Sequence, residues 1–268
     1  MNLARLALLA ALLAFAPWAQ ALVFAVNEGV TYRVSNDEIR ARYAAIATDL
    51  SRMLGQPVRV EPISNYKELR AGLAAKTFDL ALVHPAHISI EAMKGGYRLV
   101  AVTKGYTDYK ASFLVRSDAP YKTLADLRGM KLGLPDEDSI TAWMVRATVR
   151  ETMGDAKAMN YTYTRYQDAV PFLVENTFTQ VGATASNPLV KDWLAKNGKV
   201  LGTSKPVPIK HLIAGPALSA EQLAQLREYF TTLDSSEAGR KKLEPIKVQG
   251  YQAYDEAALM KLGTWLGL

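Results

Sequence analysis

Strand-length apolar runs alternate with helical patterns from residue 22 onward, and this alternation constrains the fold more than any other feature of the sequence. The run Leu22–Val26 has the length and composition of a buried strand. Ser35 followed by Glu38 predicts a helix start, and apolar residues recur at helical spacing from Ile39 to Leu50. The alternation predicts an α/β fold in which helices flank a mostly parallel sheet.

The same pattern continues along the chain and begins a second time near residue 111. Further strands are predicted at Val58–Pro62, Phe78–Val83, Tyr97–Thr103, Ala111–Arg116 and Lys131–Pro135, and further helices at Asn65, Pro85, Thr123 and Ser139. Val207–Ile209 resembles a connecting strand, and amphipathic helices are predicted over Glu221–Leu233 and Glu256–Leu262. A chain of 268 residues has room for one large domain or for two lobes.

The N-terminus carries a secretion signal. Arg5 is followed by the apolar run Leu6–Ala16 and then by Ala19-Gln20-Ala21, a small-x-small cleavage pattern. An uncleaved membrane anchor is the alternative, but the run is much shorter than the roughly 20 residues of a membrane span. We therefore expect residues 1–21 to be a cleaved signal peptide and the mature chain to begin at Leu22.

Composition excludes several classes of protein. The chain has no cysteine, which excludes disulfides, thiolate metal sites, a cysteine nucleophile and a lipid anchor on an N-terminal cysteine. The formal charge is +6, and loss of Arg5 would leave +5. Basic residues are interleaved with acidic ones rather than gathered in a stripe, which argues against a nucleic-acid partner. The surplus of positive charge predicts a solvated surface with mild attraction for anions.

The turns that lead from strands into helices are the predicted location of a site. In open α/β sheets ligands bind beyond the carboxyl ends of the strands, and helix N-termini there attract anions through unpaired N–H groups and a partial positive charge. Asn65-Tyr66, His84-Pro85 and Asp138–Thr141 are three such turns. Ser139 and Thr141 add hydroxyl donors, although Ser139 taken alone is better explained as the cap of its helix.

Four tyrosines lie beside predicted turns or strand edges and are candidate hydrogen-bond donors to a ligand: Tyr32, Tyr66, Tyr109 and Tyr166. Packing in the core or on the surface is the alternative role for each of them. Asp136 and Asp138 fit poorly beside an anion site. They would either hold neighbouring donors or select a protonated ligand, and the sequence does not decide between the two.

His84 and His87 could form a metal pair, but metal sites need three or four ligands and no carboxylate cluster accompanies them. His84 is better explained as a hydrogen-bond donor in a cleft, or as a structural histidine. The chain contains neither a Gly-x-Ser-x-Gly nucleophile motif nor a phosphate-binding loop. We expect no enzymatic activity, no metal and no cofactor. Turnover of a phosphonate ester by the purified protein would instead indicate that it is a hydrolase.

Several segments together resemble the periplasmic phosphate/phosphite/phosphonate-binding proteins of ABC importers, over nearly the whole mature chain. The segments are Leu54-Gly55-Gln56-Pro57-Val58, Asn65-Tyr66, Phe78-Asp79-Leu80-Ala81, Tyr109–Val115, Leu124–Gly129 and Pro135–Ser139. Each is a weak match alone, but their order and spacing are fairly specific. The resemblance implies a type II-like binding-protein fold with mixed sheets, two lobes and two crossover strands. It places lobe 1 at residues 22–108 and 210–268, and lobe 2 at residues 109–209.

The resemblance also implies ligand contacts from Tyr66, Tyr109 and Ser139, but the chain departs from the family pattern elsewhere. Ser139-Ile140-Thr141 replaces a Ser-Thr-Ser, Tyr166 falls near a position that often holds histidine, and Lys210 falls near one that often holds aspartate. If Lys210 replaces that carboxylate, the site would favour a more fully charged anion or another solute. An exposed surface lysine is the alternative.

The expected function is capture of a small oxyanion, such as phosphate, phosphite or a phosphonate, for an inner-membrane ABC permease. The expected location is the periplasm. The alternative is a periplasmic sensor that presents its closed form to a membrane receptor or histidine kinase. Neighbouring genes would discriminate between the two, because transporter genes favour import and a kinase gene favours sensing.

Overall fold

The computed structural model describes residues 21–29 and 35–268, and the strands in these ranges form two separate sheets. In chain order the strands are β1 (Leu22–Asn27), β2 (Val58–Pro62), β3 (Leu80–Val83), β4 (Arg98–Thr103), β5 (Ser112–Val115), β6 (Lys131–Leu134), β7 (Asn160–Tyr163), β8 (Val181–Thr184), β9 (Lys199–Thr203), β10 (His211–Ala214) and β11 (Tyr251–Gln252). One sheet has the order β11-β4-β10-β3-β1-β2 and the other β7-β6-β8-β5-β9. We call the first sheet with its helices lobe 1 and the second lobe 2.

Helices cover both sheets. They are α1 (Asn36–Leu54), α2 (Tyr66–Ala74), α3 (Ala86–Lys94), α4 (Ile140–Met153), α5 (Ala169–Glu175), α6 (Asn187–Ala195), α7 (Ala220–Thr232), α8 (Glu237–Leu243) and α9 (Glu256–Leu266). Their ends follow local sequence signals. Ser35 Oγ accepts the Glu38 N–H at 3.2 Å at the start of α1, and Gly55, at φ 68°, ends it in the left-handed conformation.

Both sheets mix parallel and antiparallel pairing in the same way. In lobe 1, β1 pairs in parallel with β2 and β3, whereas β10 is antiparallel to β3 and β4. In lobe 2, β6 pairs in parallel with β7 and β8, whereas β5 is antiparallel to β8 and β9. Each lobe therefore has three neighbouring parallel strands whose carboxyl ends lie at one edge.

The continuous apolar sequence of β1 follows from burial on both sides. Phe24 and Val26 belong to a core shared with α1, while Ala25 belongs to the core on the opposite face. Lobe 2 achieves close helix packing through a glycine: a Cβ on Gly182 would lie 2.8 Å from side-chain carbons of Val170 and Val174. Helix α5 can approach β8 closely because this strand has no side chain there.

The chain passes between the sheets twice, over residues 104–111 and 204–210, and the two crossover segments pair with each other. Tyr109 and Val207 form an isolated antiparallel bridge, with the Val207 N–H donating to the Tyr109 carbonyl at 2.9 Å. The Ile209 N–H donates to the Tyr106 carbonyl at 2.9 Å. The strand predicted over Val207–Ile209 is thus a single bridge rather than part of a sheet.

The C-terminal helix also joins the two lobes. Helix α9 packs against α3 of lobe 1 and α4 of lobe 2. Arg150 in α4 donates to the Trp265 carbonyl, and Trp265 Nε1 donates to Glu151 Oε2 at 3.1 Å. The lobes therefore meet along several elements.

The predicted two-lobed mixed α/β fold is confirmed. One predicted helix differs: the segment from Thr123 forms only a 3₁₀ turn, Leu124–Leu127. Residues 1–20 of the predicted signal peptide lie outside the described residues.

Candidate functional site

The carboxyl ends of the parallel strands of both lobes carry polar side chains. In lobe 1, Asn27 ends β1, the Asn65-Tyr66 turn follows β2, and His84 follows β3. In lobe 2, Asp136–Thr141 follows β6, Thr164–Gln167 follows β7, and Thr184 ends β8. Open α/β sheets bind ligands at this edge, the one at the carboxyl ends of the strands, and each lobe has one. The crossover segments run beside the two edges, and they add Tyr109 and Lys210 to the polar side chains found there.

The N-terminus of α4 presents hydrogen-bond donors in a buried setting. Ser139 is the N-cap, and its Oγ accepts the Ala142 N–H at 3.1 Å. The predicted capping role of Ser139 is therefore present, and its hydroxyl hydrogen still allows it to donate. The N–H groups of the first helical turn have no partner within the helix and carry the positive end of its dipole.

Thr141, two residues into α4, is fully buried, and its Oγ1 has no hydrogen-bond partner among the described residues. Leaving a hydroxyl buried without a partner costs about 1–3 kcal/mol, so native proteins rarely do so. Here the hydroxyl lies in the first turn of a 14-residue helix. Its position therefore suits an acceptor that approaches the helix N-terminus.

His84 is buried and uncharged. Burial first, and then the positive charge of Lys210, lower the pKa of His84 to about 3. Its Nδ1 lacks a hydrogen-bond partner within the described part of the chain, as does the buried Oδ1 of Asn27 on the neighbouring strand. A neutral imidazole can act as a donor at one ring nitrogen and as an acceptor at the other.

Tyr109 connects His84 to lobe 2. The His84 and Tyr109 ring centroids lie 6.5 Å apart, edge to face. The Tyr109 hydroxyl accepts from Gln167 Nε2 at 3.0 Å. Gln167 Oε1 in turn accepts from Thr184 Oγ1 at 2.6 Å and from the Ala185 N–H at 2.8 Å. These two donors fix which end of the Gln167 amide faces Tyr109.

Lys210 lies at the end of the second crossover in the left-handed conformation, with φ 58°. Its N–H donates to the His84 carbonyl at 3.0 Å, and its carbonyl accepts from Thr103 Oγ1 at 2.9 Å. Its Nζ lies 4.2 Å from the centroid of the Tyr106 ring, within the range of a cation–π contact. The backbone of Lys210 is thus fixed to lobe 1, and its half-buried side chain places a cation near His84.

Asp138 holds neighbouring donors, one of the two roles considered from the sequence. Its Oδ1 accepts from Arg70 Nη2 at 2.9 Å, from His87 Nε2 at 3.2 Å and from Trp143 Nε1 at 3.1 Å. Burial alone would raise the pKa of Asp138, but the hydrogen bonds from these three side chains hold it well below its usual range. Asp136 Oδ1 accepts the Asp138 N–H at 2.9 Å and so shapes the turn.

The tyrosines predicted as donors occupy different positions. Tyr66 is buried at the first position of α2, with its ring 6.5 Å from that of His87. Tyr166 is half-buried, with Arg165 Cζ 5.5 Å from its ring centroid and its carbonyl accepting from Thr164 Oγ1 at 2.8 Å. Tyr32 lies outside the described residues.

The structure groups the predicted residues in two sets. His84, Tyr109 and Lys210 lie together at the crossovers, while Ser139 and Thr141 lie at the start of α4, next to Asp138. Sequence reasoning did not identify Asn27 or Gln167 as site residues. Each follows or ends a strand, so the rule that ligands bind at carboxyl ends was the signal that could have found them.

Metal sites and membrane spans were sought among the described residues. Among them, no group of three or more histidine, cysteine, aspartate or glutamate side chains could hold a metal ion. No helix in the described ranges is both long enough and apolar enough to cross a membrane.

Comparison with known proteins identifies a family that matches most of the chain. A family model described as the periplasmic substrate-binding protein of phosphonate ABC transporters matches residues 29–259. No curated protein sequence matches the chain closely enough to count as a relative.

Among solved structures, XAC2383 from Xanthomonas citri bound to ATP is similar with a TM-score of 0.74 at 16% identity, covering 92% of this chain and 97% of that one. PhnD1 from Prochlorococcus marinus in complex with methylphosphonate has a TM-score of 0.67 at 14% identity, with the same coverage. A binding protein component of an ABC phosphonate transporter from Pseudomonas aeruginosa has a TM-score of 0.63 at 19% identity, covering 91% and 85%. At these identities the likeness shows a shared fold.

Proposed function

Because the chain belongs to the family of periplasmic substrate-binding proteins of phosphonate ABC transporters, we propose that it captures a small oxyanion between its lobes and delivers it to a membrane permease. Phosphate, phosphite and simple phosphonates are the ligands we consider first. The proposed binding residues are Tyr32, Tyr66, His84, Tyr109, Ser139, Thr141, Tyr166 and Lys210.

The observation that carries the proposal is the buried, unpartnered hydroxyl of Thr141 at the N-terminus of α4. An oxyanion at this point would accept from that hydroxyl and from the N–H groups of the first helical turn, and its negative charge would face the positive end of the helix dipole. Such hydrogen bonds to a charged acceptor are stronger than those between neutral groups.

The charges near the site favour an anion over a cation. Lys210 contributes a positive charge beside a neutral His84, and the Asp138 carboxylate is already occupied by Arg70, His87 and Trp143. Of the two roles considered for Lys210, its half-buried position supports the one in which it selects a more fully charged anion. Direct contact between the lobes at Asp138, one residue from Ser139, favours a small ligand over an extended one.

The organisation of the protein follows from the same proposal. We propose that residues 1–21 are removed on secretion to the periplasm, that lobe 1 comprises residues 22–108 and 210–268, and that lobe 2 comprises residues 109–209. The matching family model describes a transporter component, which supports import over a sensory role. Transporter genes beside this one would strengthen that choice, and a histidine kinase gene would weaken it.

Thermal-shift measurements with phosphate, phosphite, methylphosphonate, sulfate, small organic acids and ATP test the proposal. A ligand at 100 times its Kd stabilises the folded protein by about 2.7 kcal/mol, which corresponds to several degrees in Tm. We expect a phosphorus oxyanion to give this shift, and the double variant Ser139→Ala/Thr141→Ala to lose it. The proposal would be contradicted if ATP raised the Tm and none of the small oxyanions did, or if the double variant kept the shift in Tm unchanged.

A further inference from the structure

Four side chains connect the lobes directly beside the candidate site. Arg70 in α2 and His87 in α3 belong to lobe 1, while Asp138 and Trp143 belong to lobe 2. Asp138 Oδ1 accepts from Arg70, His87 and Trp143 at 2.9, 3.2 and 3.1 Å. The His87 and Trp143 rings are stacked, with centroids 5.0 Å apart and planes 22° apart. We call these four residues the clasp.

Three donors of the clasp share one acceptor, the Asp138 carboxylate. Arg70, His87 and Trp143 each donate to Asp138, so protein groups alone make this contact between the lobes, while Nδ1 of His87 is buried without a partner among the described residues. Arg70 also pairs with Glu91 of its own lobe. The guanidinium would therefore keep one carboxylate partner when the lobes separate, whereas Asp138 would lose both of its donors from lobe 1. Opening the clasp exchanges these contacts for water without leaving Arg70 unpaired.

The clasp adjoins the candidate site at two points. Asp138 directly precedes Ser139, the N-cap of α4, and Trp143 lies one turn further along the same helix. On the other side, the Tyr66 ring lies 6.5 Å from that of His87. Closing the clasp therefore fixes the start of α4 against the helices that carry Tyr66 and His87.

We propose that the clasp sets the affinity of the site by stabilising the closed conformation of the two lobes, so that Arg70 and His87 act as positioning residues that do not themselves bind the ligand. The apparent Kd of a protein equals its intrinsic Kd divided by the fraction of molecules in the binding-competent conformation. Any group that stabilises the closed form alone raises this fraction, and removing it weakens binding without touching a ligand contact.

The lobe separation can be measured directly because the sequence contains no cysteine. Lys67→Cys in α2 and Lys191→Cys in α6 place spin labels on exposed positions of lobes 1 and 2. In the ligand-free protein we expect Arg70→Met and Asp138→Asn each to move the distance distribution towards longer separations. Arg116→Met removes an exposed ion pair within lobe 2 and should change nothing. Distributions that are the same in all variants would overturn the proposal.

Binding is the second readout, and it rests on the proposed function. With methylphosphonate and inorganic phosphate as probes, we expect each clasp variant to bind about 5- to 30-fold more weakly. The double variant Arg70→Met/Asp138→Asn should lose little more than either single variant, since the residues act as one unit. Additive losses would mean that Asp138 contacts the ligand itself, and would overturn the proposal. If neither probe binds the unmodified protein, the proposed function fails, and the distance measurement alone decides on the clasp.

Discussion

The two halves of the surface between the lobes differ in whether their hydrogen-bond donors have an acceptor. At the clasp, the Asp138 carboxylate accepts hydrogen bonds from three side chains. Three residues further on, the hydroxyl of Thr141 is fully buried and has no partner in the described part of the chain. In the first half the Asp138 carboxylate satisfies a donor from each of three side chains, and His87 is left with a buried Nδ1 that can only accept once Nε2 donates. The second half still has a donor to offer. The donors that hold the lobes together are therefore distinct from the donor that is available to a ligand.

This difference predicts opposite responses to substitution. When one member of a hydrogen-bonded pair is removed, the other stays desolvated without a partner, which costs stability. Removing a buried polar group that has no partner relieves such a cost. Clasp variants should therefore weaken the protein's own contacts. Variants on the other half should weaken ligand binding while leaving the unliganded protein intact.

The largest effect is expected from Thr141→Val, which keeps the side-chain shape and removes the hydroxyl. Oxyanion binding should weaken about 10- to 150-fold, because a hydrogen bond to a charged group contributes about 1.5–3 kcal/mol. The unliganded protein should become more stable, by up to about 1 kcal/mol, because an unpartnered buried hydroxyl has been removed. Isothermal titration calorimetry and urea unfolding measure the two quantities.

Thr148→Val is the matched control on the same helix. Thr148 is also buried, but its Oγ1 donates to the Met144 carbonyl at 2.8 Å. This variant should bind the oxyanion as the unmodified protein does and should gain no stability. If the two valine variants behave alike, the distinction between the two halves is wrong.

A smaller effect is expected from Gln167→Glu. Gln167 donates to the Tyr109 hydroxyl while its Oε1 accepts from Thr184 and the Ala185 N–H. A carboxylate keeps the acceptor oxygen, cannot donate to Tyr109, and adds a negative charge beside the anion. We expect oxyanion binding to weaken about 3- to 10-fold, as measured by calorimetry at moderate salt.

Gln180→Glu provides the control for charge alone. Gln180 also accepts a backbone N–H, that of Lys131, at 2.9 Å, but it precedes β8 and so lies at the opposite end of lobe 2. Its substitution should change the affinity less than twofold. Equal losses in the two glutamate variants would show that Gln167 has no particular relation to the site.

The smallest effect is expected from pH. The pKa of Asp138 lies below its usual range because of its three donors, so the stability it contributes is present above the ordinary carboxyl pKa and is lost only as the pH falls through the lowered value. Burial lowers the pKa of His87, which therefore stays neutral above pH 6.5. The other charged groups around the clasp are Arg70 with its partner Glu91, and Arg146, whose Cζ lies 5.0 Å from the centroid of the Trp143 ring.

The lobe separation of the ligand-free protein, measured by small-angle X-ray scattering, should therefore be the same at pH 8 and at pH 6.5. An increase in the radius of gyration between these values would show that a group of the clasp titrates in this range. Such a result would contradict the prediction that Asp138 stays ionised and His87 stays neutral over this range.

Much of the fold could be predicted from the sequence because its determinants are local. Ser35, Asn65 and Ser139 cap the helices whose starts they predicted, and Gly55 ends α1. Strands β7 to β11 and helices α5, α6 and α8 were not predicted. Strand β7, Asn160–Tyr163, is only four residues long, and its inward-facing tyrosines are no more than half-buried.

The site was only partly predictable. Turn chemistry identified Ser139 and Thr141, since both belong to one helix start. The clasp depends on contacts between residues far apart in sequence: Arg70 and Asp138 are 68 positions apart, and His87 and Asp138 are 51 apart. No local pattern records such a pairing, which exists only once the two lobes have been brought together.

The most direct test of the central claim is a crystal structure of the protein bound to the phosphorus oxyanion that stabilises it most. The account predicts the anion between the lobes, with one oxygen about 2.5–3.0 Å from Thr141 Oγ1 and others facing the first-turn N–H groups of α4. An anion bound elsewhere, with the Thr141 hydroxyl still lacking a partner, would contradict it.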